Sequence, residues 1–291
     1  MRKFTGVMPA LITPLTADEK LNVEALKMLL DRQLKEEADG FYIGGATGEG
    51  IALSREVREE LAYESIKHIG GKVPSIVHIA STNFNEAIEL AKQAEKVGAD
   101  AISAIPPIFL AYDENDVFNY YKKLAESVSI PLIVYFNPNA GVNFTPEMAT
   151  RIFEIDNVSG IKWTSPNYFG MNVLKQLTHG EMNIINGPDE MLLMGLNAGA
   201  DGGIGSTYNF MLPKIKKVYK EFTSGNKDAA MAAQTDVNRI IHVLLKYKVI
   251  PACKAILEKQ GIPVGNASFP QTRYTEEEKQ VLFEKMLKAG L

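Results

Sequence analysis

The chain is poor in the residues that build disulfide, metal and nucleic-acid sites. Its 291 residues include one cysteine, Cys253, which excludes an internal disulfide framework and any cysteine-cluster metal site. The four histidines, His68, His78, His179 and His242, are scattered along the chain. Without a second histidine at metal-ligand spacing, neither a metal site nor a Ser-His-Asp triad is expected. No run approaches the roughly 18 apolar residues that a membrane helix needs. The opening MRKFTGVMPALITPL is broken by two prolines and lacks a signal-peptide apolar region and cleavage site, so the expected compartment is the cytoplasm. Excess charge is also missing: 31 basic against 35 acidic residues leave a net −4. Such a balance offers no footprint for nucleic acid or an anionic membrane and points to a small-molecule partner.

Hydrophobic residues make up 46% and charged residues 23%, enough apolar material for a large core. The apolar material is arranged in short runs: 7–13, 40–45, 75–80, 101–105, 131–136, 159–163, 183–187 and 202–206. These runs are near-continuous rather than alternating, the mark of parallel strands buried on both faces. Amphipathic stretches such as NVEALKMLLDRQLKEEA and NEAIELAKQAEKVGA separate them, and Thr145 is placed to cap a helix opening at Pro146. A weak repeat, Ala38-Asp39-Gly40, Ala99-Asp100-Ala101 and Ala200-Asp201-Gly202, precedes the second, fourth and eighth runs. Eight strands alternating with helices at roughly 25–30 residues per unit predict an α/β fold, a (β/α)8 TIM barrel. A doubly wound open sheet is the rival, but no GxGxxG follows the first strand. The barrel is assigned to residues 1–223, with 208–222 as its eighth helix. Residues 224–291 are read as a C-terminal helical appendix packed on the barrel, broken near Pro251, at 261–270 and before Thr275.

Active sites of such barrels form at the C-terminal ends of the strands. Lys162, in GIKWTS, is the only lysine in the eight runs. A lysine there is costly unless paired or neutral, and a neutral amine is the form that attacks a ketone to give a Schiff base; a buried ion pair is the bland alternative. Tyr135, on the preceding run, is either core or a proton-shuttling phenol. GGATGEG (44–50) offers glycine backbone amides and the Thr47 hydroxyl to an anion such as a carboxylate, unless it is an ordinary tight turn. Asp189 and Glu190, in NGPDE, suit a polyol or the start of a helix. The glycine-rich run at 202–206 would also suit a phosphate, which the two acids make less comfortable.

Together, GGATGE, Tyr135, GIKWTS, NGPDE and GADGGIGSTYN resemble the N-acetylneuraminate lyase and dihydrodipicolinate synthase family over essentially the whole chain. The resemblance implies a (β/α)8 barrel with C-terminal helices, usually a homotetramer, that uses a lysine Schiff base with a 2-keto acid such as pyruvate and needs no metal or cofactor. It makes Lys162 the Schiff-base lysine and Tyr135 the acid/base phenol. Gly45, Ala46 and Thr47 fall where the family binds the keto-acid carboxylate. Thr164, Gly187, Asp189, Glu190 and Ser206 fall where the sialic acid lyase branch holds the polyol tail. The synthase branch carries an arginine in the loop after its tyrosine, and FNPNAGVNF (136–144) has none. The expected activity is therefore retro-aldol cleavage of N-acetylneuraminate or a similar 2-keto-3-deoxy sugar acid. A 2-keto-3-deoxygluconate-type aldolase, a dihydrodipicolinate synthase and a sugar-acid-binding barrel with impaired turnover are the alternatives. Ala46 replaces the usual Ser or Thr, and Phe109 replaces a tyrosine that the family supplies from a neighbouring subunit, with Tyr112 three positions on. Trp163, where a smaller or polar residue is expected, suggests an altered pocket.

Overall fold

Short β-rich runs between amphipathic helices have one economical arrangement, a parallel sheet with helices outside it. The computed structural model describes residues 4–140, 142 and 144–291, and among these it has that arrangement. The strands are β1 (Gly6–Pro9), β2 (Phe41–Ile43), β3 (Ser75–His78), β4 (Ala101–Ala104), β5 (Leu132–Phe136), β6 (Val158–Trp163), β7 (Asn183–Asn186) and β8 (Gly202–Gly205). The helices between and after them are α1 (Val23–Lys35), α2 (Arg55–Ile69), α3 (Phe84–Lys96), α4 (Glu114–Ala125), α5 (Pro146–Phe153) and α6 (Tyr168–Leu177). They continue as α7 (Leu192–Ala198), α8 (Tyr208–Thr223), α9 (Lys227–Leu244), α10 (Val249–Lys259) and α11 (Glu276–Lys288). All strand pairs are parallel, in the order β1-β8-β7-β6-β5-β4-β3-β2. A single bridge, Ala10 to Tyr42, brings the two outer strands together and makes the sheet a (β/α)8 barrel.

Alternation along each strand separates two cores. Met8, Tyr42, Ile76, Ile133, Tyr135, Ile185 and Ile204 fill the barrel. Val7, Phe41, Ile43, Val134, Phe136, Ile161 and Trp163 pack outward with the helices. The first strand is shorter than the apolar run 7–13; just beyond it Ala10 N bonds to Gly205 O at 2.9 Å and Leu11 N to Tyr42 O at 2.8 Å.

The Ala-Asp repeat has a mechanical meaning. Asp39 accepts from Val7 N at 2.9 Å, Asp100 from Ser75 N at 2.8 Å and Asp201 from Ile184 N at 2.9 Å. Each aspartate precedes one strand and holds the start of its neighbour, giving a partner to a backbone donor at the N-terminal face.

Thr145 caps α5 as expected, accepting from Met148 N at 3.1 Å. Past residue 223 the chain is helical in α9, α10 and α11, which lie against α7, α8 and one another. Its first break, at 245–248, lies just before Pro251, which sits in the first turn of α10, where its missing N–H costs no helix bond. Thr275 and Glu278 form a capping box that starts α11. The loop after β5 contains Gly141 and Asn143, which lie outside the described residues.

Candidate active site

Strand register sets the centre of the site. Tyr135 on β5 pairs with Lys162 on β6, both near the C-terminal ends of their strands. Both are buried, and both point into the barrel because the residues beside them point out. The Lys162 Nζ lies 4.0 Å from the centre of the Tyr135 ring and 4.8 Å from that of Tyr42. Aromatic faces attract a cation, so the two rings are placed to stabilise an iminium formed at this nitrogen. Burial pushes the Tyr135 phenol up. The charge of Lys162, with hydrogen-bonding groups on Lys162, Thr164 and Asn137, outweighs it, and Tyr135 ionises below the ordinary tyrosine value. A phenol disposed to lose its proton therefore stands beside an amine able to add to a carbonyl.

Gly45, Ala46 and Thr47 follow β2 in a tight turn. A Cβ on Gly45 would lie 2.4 Å from the Tyr42 ring, so glycine lets the turn close over that ring. Ala46 is exposed and lines a cavity of 360 Å³ together with His78, Ile105, Tyr135, Ile250 and Phe269. The Thr47 Oγ1 lies 2.7 Å from Ser206 Oγ, joining the loops after β2 and β8 across the mouth. Thr164 and Gly187 are in contact: a Cβ on Gly187 would meet Thr164 Oγ1 at 2.0 Å.

The two acids of NGPDE part company. Asp189 is buried and accepts from Thr207 N at 2.8 Å and Thr207 Oγ1 at 2.7 Å, while burial pushes its carboxyl up to about 6. It ties the β7 loop to the β8 loop. A Cβ on Gly205 would lie 2.0 Å from Asp189 Oδ1, so this glycine makes room for the tie. Glu190 is exposed.

Trp163 does not alter the cavity. It is fully buried on the helix side, edge-on to Phe136 at 4.8 Å, because period-2 alternation turns it away from Lys162. Phe109 is 95% exposed, and Tyr112 lines a separate cavity of 280 Å³ with Ser81, Asp116 and Lys123.

Sequence reasoning missed Tyr42 as a site residue and gave His78 no role. Tyr42 Oη donates to Ser103 Oγ at 3.0 Å. His78 lies 6.1 Å from Tyr135 and 6.2 Å from Tyr42, ring centre to ring centre. Burial, then the charges of Arg58 and Lys162, depress its imidazole to about 3, so it is a neutral wall of the cavity. Its Nε2 accepts from Ile105 N at 3.4 Å. Alternation in GFYIGG was the available signal for Tyr42; for His78 it was being the only histidine on a strand.

A buried lysine paired with a tyrosine at the mouth of a (β/α)8 barrel marks the chain as a lysine-dependent barrel enzyme. The chain belongs to the dihydrodipicolinate synthetase family, whose model matches residues 3–289. It is 33% identical over 282 residues to the N-acetylneuraminate lyase of Rhizobium meliloti, covering 97% of this chain and 94% of that one. It is 34% identical over 263 residues to the N-acetylneuraminate lyase of Citrobacter koseri, covering 90% and 88%. The crystal structure of N-acetylneuraminate lyase from Mycoplasma synoviae superposes with a TM-score of 0.92 at 31% identity, covering 98% of this chain and 97% of that one.

Proposed function

We propose that this chain is a class I, pyruvate-dependent aldolase of the N-acetylneuraminate lyase kind. The observation that carries the reading is the Lys162 amine held between the Tyr42 and Tyr135 rings, one strand from a phenol that ionises early. In the direction of cleavage, neutral Lys162 adds to the C2 ketone of the sugar acid and loses water to form an iminium. Tyr135, as phenolate, takes the proton of the C4 hydroxyl. The C3–C4 bond breaks, its electron pair moves through C3 to the iminium nitrogen, and the aldehyde leaves. The enamine is protonated at C3, and water hydrolyses the resulting iminium, returning pyruvate and the free amine. The Tyr42 and Tyr135 faces stabilise the cationic intermediates.

In this reading Gly45, Ala46 and Thr47 receive the keto-acid carboxylate, and Thr164, Gly187, Glu190 and Ser206 face the hydroxylated tail. Asp189 is assigned mainly to shaping the tail site, because its Oδ2 is engaged by Thr207. The arginine-free loop after β5 disfavours the synthase activity for which the family is named. Residues 1–223 form the catalytic barrel and 224–291 its helical appendix. No helix among the described residues is long and apolar enough to cross a membrane, and we take the cytoplasm as the compartment. A homotetramer is the proposed assembly, supported by the outward Phe109 and by Leu110, also exposed; light scattering on the purified chain gives its mass.

The central test is chemical trapping. Borohydride with pyruvate should leave a reduced adduct on Lys162, read by peptide mass spectrometry; an unmodified lysine would sink the mechanism. Pyruvate release from a panel of sugar acids then ranks N-acetylneuraminate against 2-keto-3-deoxygluconate.

A further inference from the structure

The C-terminal segment meets the barrel mouth through one buried ion pair. Glu49 closes the GGATGEG turn with a φ of 61°, a left-handed conformation that a non-glycine residue keeps only when its surroundings hold it. The Glu49 and Lys254 side chains are 1% and 2% exposed, and Oε1 lies 2.7 Å from the Lys254 Nζ on α10. The Oε2 accepts from Ser268 N at 2.7 Å, Ser268 Oγ at 2.7 Å and Gln271 Nε2 at 2.6 Å. The Lys254 Nζ also donates to Asn266 O at 2.9 Å. All of these Glu49 side-chain partners come from the C-terminal segment. A buried pair of this kind is seldom needed for stability, since apolar side chains of similar volume often hold a fold as well.

Position suggests its use. The cavity has Ala46 and Glu49 on one side and Ser268, Phe269, Pro270 and Gln271 on the other. The turn that carries Glu49 is stiff: Glu49 N bonds to Ala46 O at 3.0 Å and Gly50 N to Gly45 O at 3.1 Å. A Cβ on Gly50 would lie 1.8 Å from the Gly44 carbonyl oxygen. A displacement of Glu49 is therefore transmitted to Gly45, Ala46 and Thr47.

We infer that Glu49 and Lys254 are a positioning pair that clasps residues 266–271 to the carboxylate-binding turn and so sets the width of the cavity in which that turn receives the substrate. The inference rests on the aldolase reading for the identity of that substrate. Neither residue touches the reacting atoms; they fix the distance between the carboxylate-binding turn and residues 268–271, which line the same cavity.

The test uses the full chain and the double variant Glu49→Gln/Lys254→Met, which removes both charges and leaves an amide oxygen for Ser268. Hydrogen exchange should rise together at 44–50 and 262–271, with the barrel strands unchanged. Pyruvate with borohydride should still label Lys162. The KM for N-acetylneuraminate should rise on the order of tenfold with kcat nearly kept, the pattern of lost positioning outside the chemical step. Wild-type exchange at 44–50, an unchanged KM, or a proportionate loss of adduct and turnover would each overturn the inference. If the double variant does not fold, Ser268→Ala/Gln271→Leu, which keeps the buried charges paired and removes two side-chain ties to Glu49, carries the same comparison. Absence of the adduct in the wild-type chain would instead remove the aldolase reading, and the exchange arm would still decide whether the two segments are coupled.

Discussion

At the scale of single residues, the pairing of Tyr135 with Lys162 turns a spatial fact into a pH dependence. An ordinary tyrosine ionises near 10, and the neighbouring lysine charge favours the Tyr135 phenolate below that. If phenolate is the proton acceptor, kcat should climb with pH along a limb whose midpoint lies below 10. Tyr135→Phe should abolish that limb and lower kcat by about 10²–10⁴-fold, while pyruvate still reaches Lys162. A variant that keeps the limb would assign it to another group. Lys162 was legible in the sequence because an amine in an apolar strand run stands out. Trp163 was misread because its neighbour in sequence lies on the opposite face of the sheet. Tyr42 and His78 were hidden for a related reason: an aromatic or a histidine on a buried strand has the same pattern whether it faces solvent-filled space or packed side chains. Asp189 was recognised as a polar site residue, but its engagement by Thr207 depends on how two loops approach, which spacing does not encode.

Among the elements, the strands owe their alignment to contacts at both ends. Asp201 also accepts from Asn183 Nδ2 at 3.0 Å and pairs with Lys175 at 2.9 Å. Asp201→Ala should strip partners from Ile184 N and Asn183 and lower stability by about 1.5–3 kcal/mol, the range for charge-assisted hydrogen bonds. Denaturant unfolding measures it, and turnover at low temperature should be unaffected because the chemistry sits at the other end of β7 and β8. The Ala-Asp repeat itself was legible, as were the eight strands and the Thr145 cap, since these are local patterns. Its purpose was not, because each aspartate serves the strand before its own. Element ends were less legible: β1 stops at Pro9 inside the apolar run 7–13, and Pro251 lies within the first turn of α10 rather than in the break before it.

For the molecule as a whole, the barrel and its last three helices share their polar wiring. Gln234 on α9 accepts from Leu193 N at 2.9 Å and donates to Asp189 O at 3.2 Å. Gln260, just past α10, donates to Phe210 O at 3.1 Å. Ala233, Val237 and Ile241 of α9 are buried in the same apolar cluster as the barrel helices. A chain cut after residue 223 should therefore fail to reach the native state. Its near-ultraviolet circular dichroism should be lost, and it should bind a hydrophobic dye, as a collapsed chain without fixed packing does. A cooperative unfolding transition in that fragment would make the barrel independent of its appendix.

The three aspartate ties have a bearing on how such a chain can change over generations. They secure the strand starts, at the far end from Lys162, so tolerance to substitution is unevenly distributed. Loops at the mouth can be exchanged for new substrates while the reserve that keeps the sheet in register is left untouched. The turn around Gly50 and Glu49 is the exception, the place where a search for new specificity would collide with the architecture.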